Sequence, residues 1–200
     1  IGNSVTTILQ EAFQGCSSLT SVTIPDSVTY IGYKAFSDCS SLTSVTIGNS
    51  VTTILQEAFQ GCSSLTSVTI PDSVTKIDES AFSGCRSLTS IDVASGNLYY
   101  SSENGVLFNK NKSTLIQYPI GNQRTEYTVP NSVTTIGDYC AFSGCSSLIS
   151  VTIPDSVTTI GNSAFSGCSS LTSVTIPDSV TKIEESAFYG CRSFTSVTIG

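Results

Sequence analysis

The pair Ala12-Phe13 returns at Ala35-Phe36, Ala58-Phe59, Ala81-Phe82, Ala141-Phe142, Ala164-Phe165 and Ala187-Phe188. Neighbouring pairs stand 23 residues apart except across the middle of the chain. Cysteine keeps the same interval, at Cys16, Cys39, Cys62, Cys85, Cys145, Cys168 and Cys191. A fixed period of this length restricts the chain to a stack of small units, each completing its core against its neighbours. Units begin at Ile1, Ile24, Ile47, Ile70, Val93, Val129, Ile153 and Ile176, so residues 1–200 form one array of eight units. The unit Val93–Thr128 is long, at 36 residues, and Val129–Thr152 carries one extra residue near Cys140. The stretch Ile1–Thr29 recurs unchanged as Ile47–Thr75, which suggests that array length matters more than any single residue. Ile199 and Gly200 begin a further unit and there is no initiator Met, so a fragment of a longer array is expected.

Within Ser17–Cys39, the pattern Leu19-x-x-Val22-x-Ile24 puts three apolar side chains on a short extended segment. Val22 and Ile24 alternate with Ser21 and Thr23, the period-2 signature of a strand. Pro25 lacks an amide donor and fixes φ, which ends the strand, and Asp26 and Ser27 form a turn. Val28 and Ile31 open a second apolar pair. Ala35, Phe36 and Cys39 follow at roughly helical spacing, which predicts one turn of helix or 3₁₀. Stacked units lay Leu on Leu, Ile on Ile and Phe on Phe. At ~4.8 Å per strand, the eight units make a coil roughly 40 Å long. No capping unit is evident at either end, so the terminal rungs are expected to fray.

Leu-x-x-Val-x-Ile, followed by Pro-Asp-Ser-Val-Thr-x-Ile and Ala-Phe-x-Gly-Cys, resembles the 23-residue leucine-rich repeat of the BspA-like family of bacterial and protozoan surface proteins. The likeness covers essentially the whole chain, and Tyr100–Phe108 resembles a variant unit of that family. It implies a right-handed, curved leucine-rich-repeat solenoid, mostly β with short helical or 3₁₀ turns and a parallel sheet on the concave face. It also implies a cell-surface or secreted location and adhesion to matrix or other cell-surface proteins. The family shares a scaffold and not a fixed binding site, so the resemblance assigns no functional residue.

Composition narrows the chemistry. The chain has no His, which excludes Ser-His-Asp and Cys-His catalysis and His-ligated zinc. Its net charge of −7 makes it a poor partner for nucleic acid or an anionic membrane. No apolar run approaches the ~18 residues of a membrane span, and no signal peptide is visible within residues 1–200. Charged residues make up 12%, and Ser and Thr fill the gap at 63 of 200 residues. No phosphate-cradling Gly loop or paired carboxylates stand out, so neither an enzyme nor a cofactor is expected.

Four polar patterns are candidate sites. The seven in-register cysteines read either as a core column of free thiols or as a disulfide or thiolate ladder. The odd count and the lack of any C-x-x-C pair favour free thiols. Cys140 lies outside the column and reads as the most reactive thiol. The hydroxyl row Thr43, Ser44 and Thr46, then Thr66, Ser67 and Thr69, should face outward on the concave strands. It is either a solubilising surface or a carbohydrate- or ice-binding one. The row Asp26, Asn49, Asp72, Asn131, Asp155 and Asp178 reads as turn capping, since single carboxylates diluted with Asn supply too few oxygens for calcium.

The long unit 93–128 is the fourth. It holds four of the eight Tyr (Tyr99, Tyr100, Tyr118 and Tyr127) and three of the eight basic residues (Lys110, Lys112 and Arg124). Gly105–Phe108 and Thr114–Tyr118 read as two strands around the polar turn Asn109–Ser113, which predicts a β-hairpin projecting from the coil. Tyr99, Tyr100, Lys110, Lys112, Tyr118 and Arg124 are the candidate protein-binding residues, since Tyr and Arg are good interface material. The alternative is a structural unit whose aromatics pack on neighbouring repeats. Asn111-Lys112-Ser113 also fits a glycosylation sequon. Surface variation collects before Ala-Phe, as in Leu9-Gln10-Glu11, Gly32-Tyr33-Lys34, Asp78-Glu79-Ser80 and Glu184-Glu185-Ser186. The leading expectation is a non-catalytic protein-binding segment of a surface adhesin. The alternative is a structural spacer. Oligomeric state is left open.

Overall fold

The computed structural model describes all 200 residues. The chain winds into a parallel-strand β-solenoid of about 8 turns with no helix. The Ser-Val-Thr position of the repeat supplies one strand per turn: β2 (Ser21–Thr23), β4 (Ser44–Thr46), β6 (Ser67–Ile70), β8 (Ser90–Val93), β12 (Glu126–Thr128), β14 (Ser150–Thr152), β16 (Ser173–Ile176) and β18 (Ser196–Ile199). A second strand precedes each Ala-Phe turn: β1 (Thr7–Ile8), β3 (Tyr30–Ile31), β5 (Thr53–Ile54), β7 (Lys76–Ile77), β13 (Thr135–Ile136), β15 (Thr159–Ile160) and β17 (Lys182–Ile183). The long unit adds β9 (Tyr100–Glu103), β10 (Val106–Asn109) and β11 (Thr114–Gln117). Register follows the repeat: Val22 pairs with Val45 and Ile31 with Ile54. Equivalent residues therefore stack in columns, as the period dictates.

The Ala-Phe-x-Gly-Cys segment is not helical. Its amides alternate between two targets. Ala35, Ser37 and Cys39 donate to Gly32, Lys34 and Phe36 in their own turn, while Phe36 and Asp38 donate to Ala58 and Gln60 of the next turn. A helix needs consecutive right-handed residues with inward hydrogen bonds. Here Lys34 and Asp38 are left-handed, at φ +53° and +59°. The Asp38 position is otherwise glycine, as at Gly61 and Gly84, both at φ +71°. The helical spacing of Ala35, Phe36 and Cys39 thus comes from linked turns that bond sideways to their neighbours.

Two cores fill the coil. One runs from Ile8 to Leu107 and the other from Val106 to Ala187. In the first, Phe13, Phe36, Phe59 and Phe82 stack with centroids 5.0, 5.3 and 5.5 Å apart. In the second, Phe142, Phe165 and Phe188 stack at 4.7 and 5.0 Å. Offset stacking of this kind adds to the burial of each ring.

The hairpin β10–β11 forms, but it does not project. β10 pairs antiparallel with β9 on one side and β11 on the other, and β11 runs parallel to β13. Val106, Leu107, Phe108 and Leu115 are fully buried. The reason lies in β10's position between the two cores. Leu107 points into the first, and Val106 and Phe108 into the second. An apolar run along a strand is what a wall with a core on each side requires.

Candidate functional site

The regular turns consume most of their own polar groups. Thr43 Oγ1 donates to the Thr20 carbonyl at 3.0 Å, and Thr66 Oγ1 to the Thr43 carbonyl at 3.4 Å. A second column does the same through Thr52 to Thr29 and Thr75 to Thr52. Ser44, Thr46, Ser67 and Thr69 are exposed on β4 and β6. The first threonine of each hydroxyl triplet, Thr43 and Thr66, is therefore part of a ladder that covers backbone carbonyls. In the turn row, Asp26 Oδ1 accepts from the Asn49 amide of the next rung at 2.6 Å.

All eight cysteines are free thiols. Within the column, Cys39, Cys62, Cys85, Cys168 and Cys191 each donate Sγ–H to a phenylalanine carbonyl one turn back, at 3.0–3.2 Å. Cys16 is exposed and Cys145 buried. Burial pushes the thiols up: Cys39 to about 11, Cys62 and Cys168 to about 12, and Cys85 and Cys145 well above the ordinary range. Cys140 is also buried, and burial raises it despite hydrogen bonds from Ser80 and Ser83. The expectation that Cys140 is the most reactive thiol is corrected, because it is buried against Ser80 of an earlier turn while Cys16 is exposed.

The long unit is different. Tyr118 is 1% exposed and stacks on Phe142 at 5.4 Å, extending the second phenylalanine column. Its hydroxyl has no partner, and burial pushes it up to about 12. Tyr118 is therefore a core residue, not a contact residue. Tyr100 is partly buried, and its hydroxyl accepts from the Ile77 amide at 2.8 Å. Tyr127 sits edge-on to Tyr118 at 4.9 Å. Tyr99 remains exposed, next to Leu98, which is 76% exposed. The Lys110 amide donates to the Tyr99 carbonyl, and the Lys110 ammonium reaches the Asn97 carbonyl. Leu98, Tyr99 and Lys110 thus form one patch. Lys112, at the hairpin turn, pairs with Glu103. Arg124 is exposed on the segment entering β12.

Asn97 organises the patch and was not singled out in the sequence. It stands where the other turns carry Val28, Val51, Val74, Val133 and Val157, and it is fully buried. Its Nδ2 donates to the Pro71 and Val74 carbonyls at 2.8 and 2.9 Å, and its Oδ1 accepts from the Tyr99 and Tyr100 amides at 2.8 Å. The signal was there, as one Asn in a column of Val.

A cleft of about 270 Å³ opens beside the long unit. The long unit carries no Ala-Phe-x-Gly-Cys turn. The ladder of turn amides, which includes Phe36 to Ala58 and Phe59 to Ala81, resumes only with Tyr118 to Ala141. Gln117 Nε2 takes over a cysteine's role and donates to the Phe82 carbonyl at 3.3 Å. Asp78 and Glu79 stand on one wall and Gly137 and Asp138 on the other, with Leu107, Ile116 and Gln117 lining the space between. No group of three or more His, Cys, Asp or Glu could hold a metal ion here or elsewhere.

The family model for the BspA-type leucine-rich repeat region matches six copies over residues 1–114 and 121–200. No curated protein matches the chain. Among solved structures, a leucine-rich repeat protein from Eubacterium ventriosum is 33% identical with a TM-score of 0.81, over 97% of this chain and 57% of that one. A leucine-rich cell surface protein from Faecalibacterium prausnitzii is 33% identical with a TM-score of 0.74, over 96% and 62%. The pneumococcal vaccine antigen PcpA is 28% identical with a TM-score of 0.82, over 98% and 54%. The chain spans little more than half the length of these structures.

Proposed function

This chain belongs to the BspA-type leucine-rich repeat family, and from that premise we propose that it is a non-catalytic, protein-binding segment of a cell-surface or secreted protein. The surface location is supported by two similar structures, a leucine-rich cell surface protein and a pneumococcal vaccine antigen. The observation that carries the binding role is the exposed patch of Leu98, Tyr99 and Lys110 on the long unit. Exposed Tyr99 is the residue type enriched at interfaces and Leu98 extends its apolar surface, whereas the Ser/Thr strands offer no large anchor.

The partner class is a matrix or cell-surface protein. The test is binding of the chain to a panel including fibronectin and fibrinogen, with Leu98→Ser/Tyr99→Ala/Lys110→Ala alongside. Substitution is preferable to deleting the hairpin, because β10 and β11 carry core residues of both halves. Saturable binding that the triple variant loses is expected. Binding that the variant retains in full would remove the patch. A spacer role is the second reading, favoured by the unchanged duplication of Ile1–Thr29 as Ile47–Thr75. It predicts no saturable binding by the folded chain to any panel member.

A further inference from the structure

The cleft beside the long unit joins three features. Its walls are partly apolar, through Leu107 and Ile116. Its rim carries the carboxylates of Asp78, Glu79 and Asp138. Its lining includes Gln117, which is 5% exposed. The Phe82 carbonyl fixes the orientation of the Gln117 amide, because only its Nε2 can donate there. Gln117 Oε1 is therefore the atom turned away from Phe82, and no protein donor reaches it. It is not among the fully enclosed unpaired atoms, so it faces the open space of the cleft.

Gln117 Oε1 is an accessible acceptor on an otherwise buried side chain, and a ligand donor can replace the water it would otherwise bind. The rim adds acceptors. Asp138 Oδ1 is held by the Asn162 amide and side chain, and Asp78 by a partly exposed Lys76 at 2.9 Å. Glu79 has no ion-pair partner, and Asp138 keeps its second oxygen. The complementary group is a donor-rich cation on an apolar stem. Guanidinium, with five donors in a fixed fork and no acceptor, matches this set better than ammonium, which is strongly hydrated. The volume admits a side chain of that size but not a folded domain. We propose that the cleft binds an arginine side chain of the protein partner, its guanidinium between Gln117 Oε1 and the Asp78, Glu79 and Asp138 carboxylates. The inference rests on the protein-binding reading above and supplies it with a second anchor beside the Leu98–Tyr99–Lys110 patch.

The test titrates the whole chain with capped arginine (N-acetyl-arginine methylamide), with capped citrulline and capped norleucine as neutral matches. The readout is the Gln117 side-chain amide signal by NMR. Capped arginine should shift that signal saturably, and capped citrulline should bind at least about tenfold more weakly. The variant Asp78→Asn/Glu79→Gln/Asp138→Asn keeps every side-chain shape and leaves an acceptor for Asn162, so it should fold with an unchanged melt. It should lose about tenfold in arginine affinity. No Gln117 shift, an equal response to citrulline, or full affinity in the folded triple variant would each overturn the proposal. The panel measurement fails separately. Arginine binding without any protein ligand supports the cleft and removes the adhesin reading. Protein binding that depends on Tyr99, with no arginine response, does the reverse.

Discussion

The regular turns and the long unit solve one packing problem with different parts. In the regular turns, one phenylalanine, one cysteine and one valine per rung fill fixed columns; the phenylalanines stack on one another, and the cysteines bond phenylalanine carbonyls one turn back. In the long unit the columns change residue. Tyr118 stands in for phenylalanine, Gln117 takes a phenylalanine carbonyl that a cysteine takes elsewhere, and Asn97 stands in for valine. Translation is therefore not what stabilises the coil. A filled core and satisfied carbonyls are, and a unit that meets both can omit a turn. The omission leaves the cleft.

The largest expected effect tests whether the long unit joins or divides the two halves. The buried thiols have raised pKa values, so folding favours the protonated form. Above the ordinary thiol value the unfolded chain releases protons that the folded chain keeps. Stability is therefore fully present below about pH 9 and falls as pH rises through 11–12. Column thiols lie on both sides of the long unit. Circular dichroism from pH 8 to 12 should show one alkaline transition, because β10 supplies both cores. Two separated transitions would mean that the halves unfold independently.

Next comes the equivalence of the cores. Phe59→Ala, in a regular turn, should cost about 3–5 kcal/mol, as for other buried aromatics. Phe108 is just as buried, on β10. Phe108→Ala should fall in the same range of about 3–5 kcal/mol, measured by chemical melts. A cost below about 1 kcal/mol for Phe108 would show the long unit to be a loosely held insert.

Much of this was legible in the sequence, and for one reason. A period of 23 residues forces in-register columns, so the strands, the phenylalanine and cysteine columns and the turn row follow from spacing alone. What spacing could not give was direction. Linked turns with left-handed residues place Ala35, Phe36 and Cys39 as a helical turn would. The four Tyr of the long unit looked alike, yet Tyr118 is core, Tyr100 bonds Ile77 and Tyr99 is free. Their fates depend on which core each strand residue meets, a long-range fact. The cleft was illegible for the same reason, since it is made by a segment that is missing.

Asn97 sharpens the contrast further. Asn97→Val restores the residue of the regular column and would count as an improvement by repeat consensus. It should instead cost about 2–4 kcal/mol, because the Tyr99 and Tyr100 amides and the Val74 carbonyl lose their buried partner. A neutral or stabilising result in a denaturant melt would return the long unit to the rules of the regular turns.

The smallest effect carries the opposite sign and separates packing from hydrogen bonding within one residue. Tyr118 keeps the ring of the phenylalanine column and adds a buried hydroxyl without a partner. Tyr118→Phe retains the stack on Phe142 and removes the desolvated group. Stability should rise by about 1 kcal/mol, because an unmade hydrogen bond is the costly case. Asn97 and Tyr118 are both polar replacements in apolar columns. One has all its bonds and the other has none. Opposite signs for Asn97→Val and Tyr118→Phe would show that satisfaction, not polarity, decides what the coil tolerates. A loss of stability in Tyr118→Phe would mean that the hydroxyl is bonded in solution, through water or a ligand donor, and would redraw that part of the long unit.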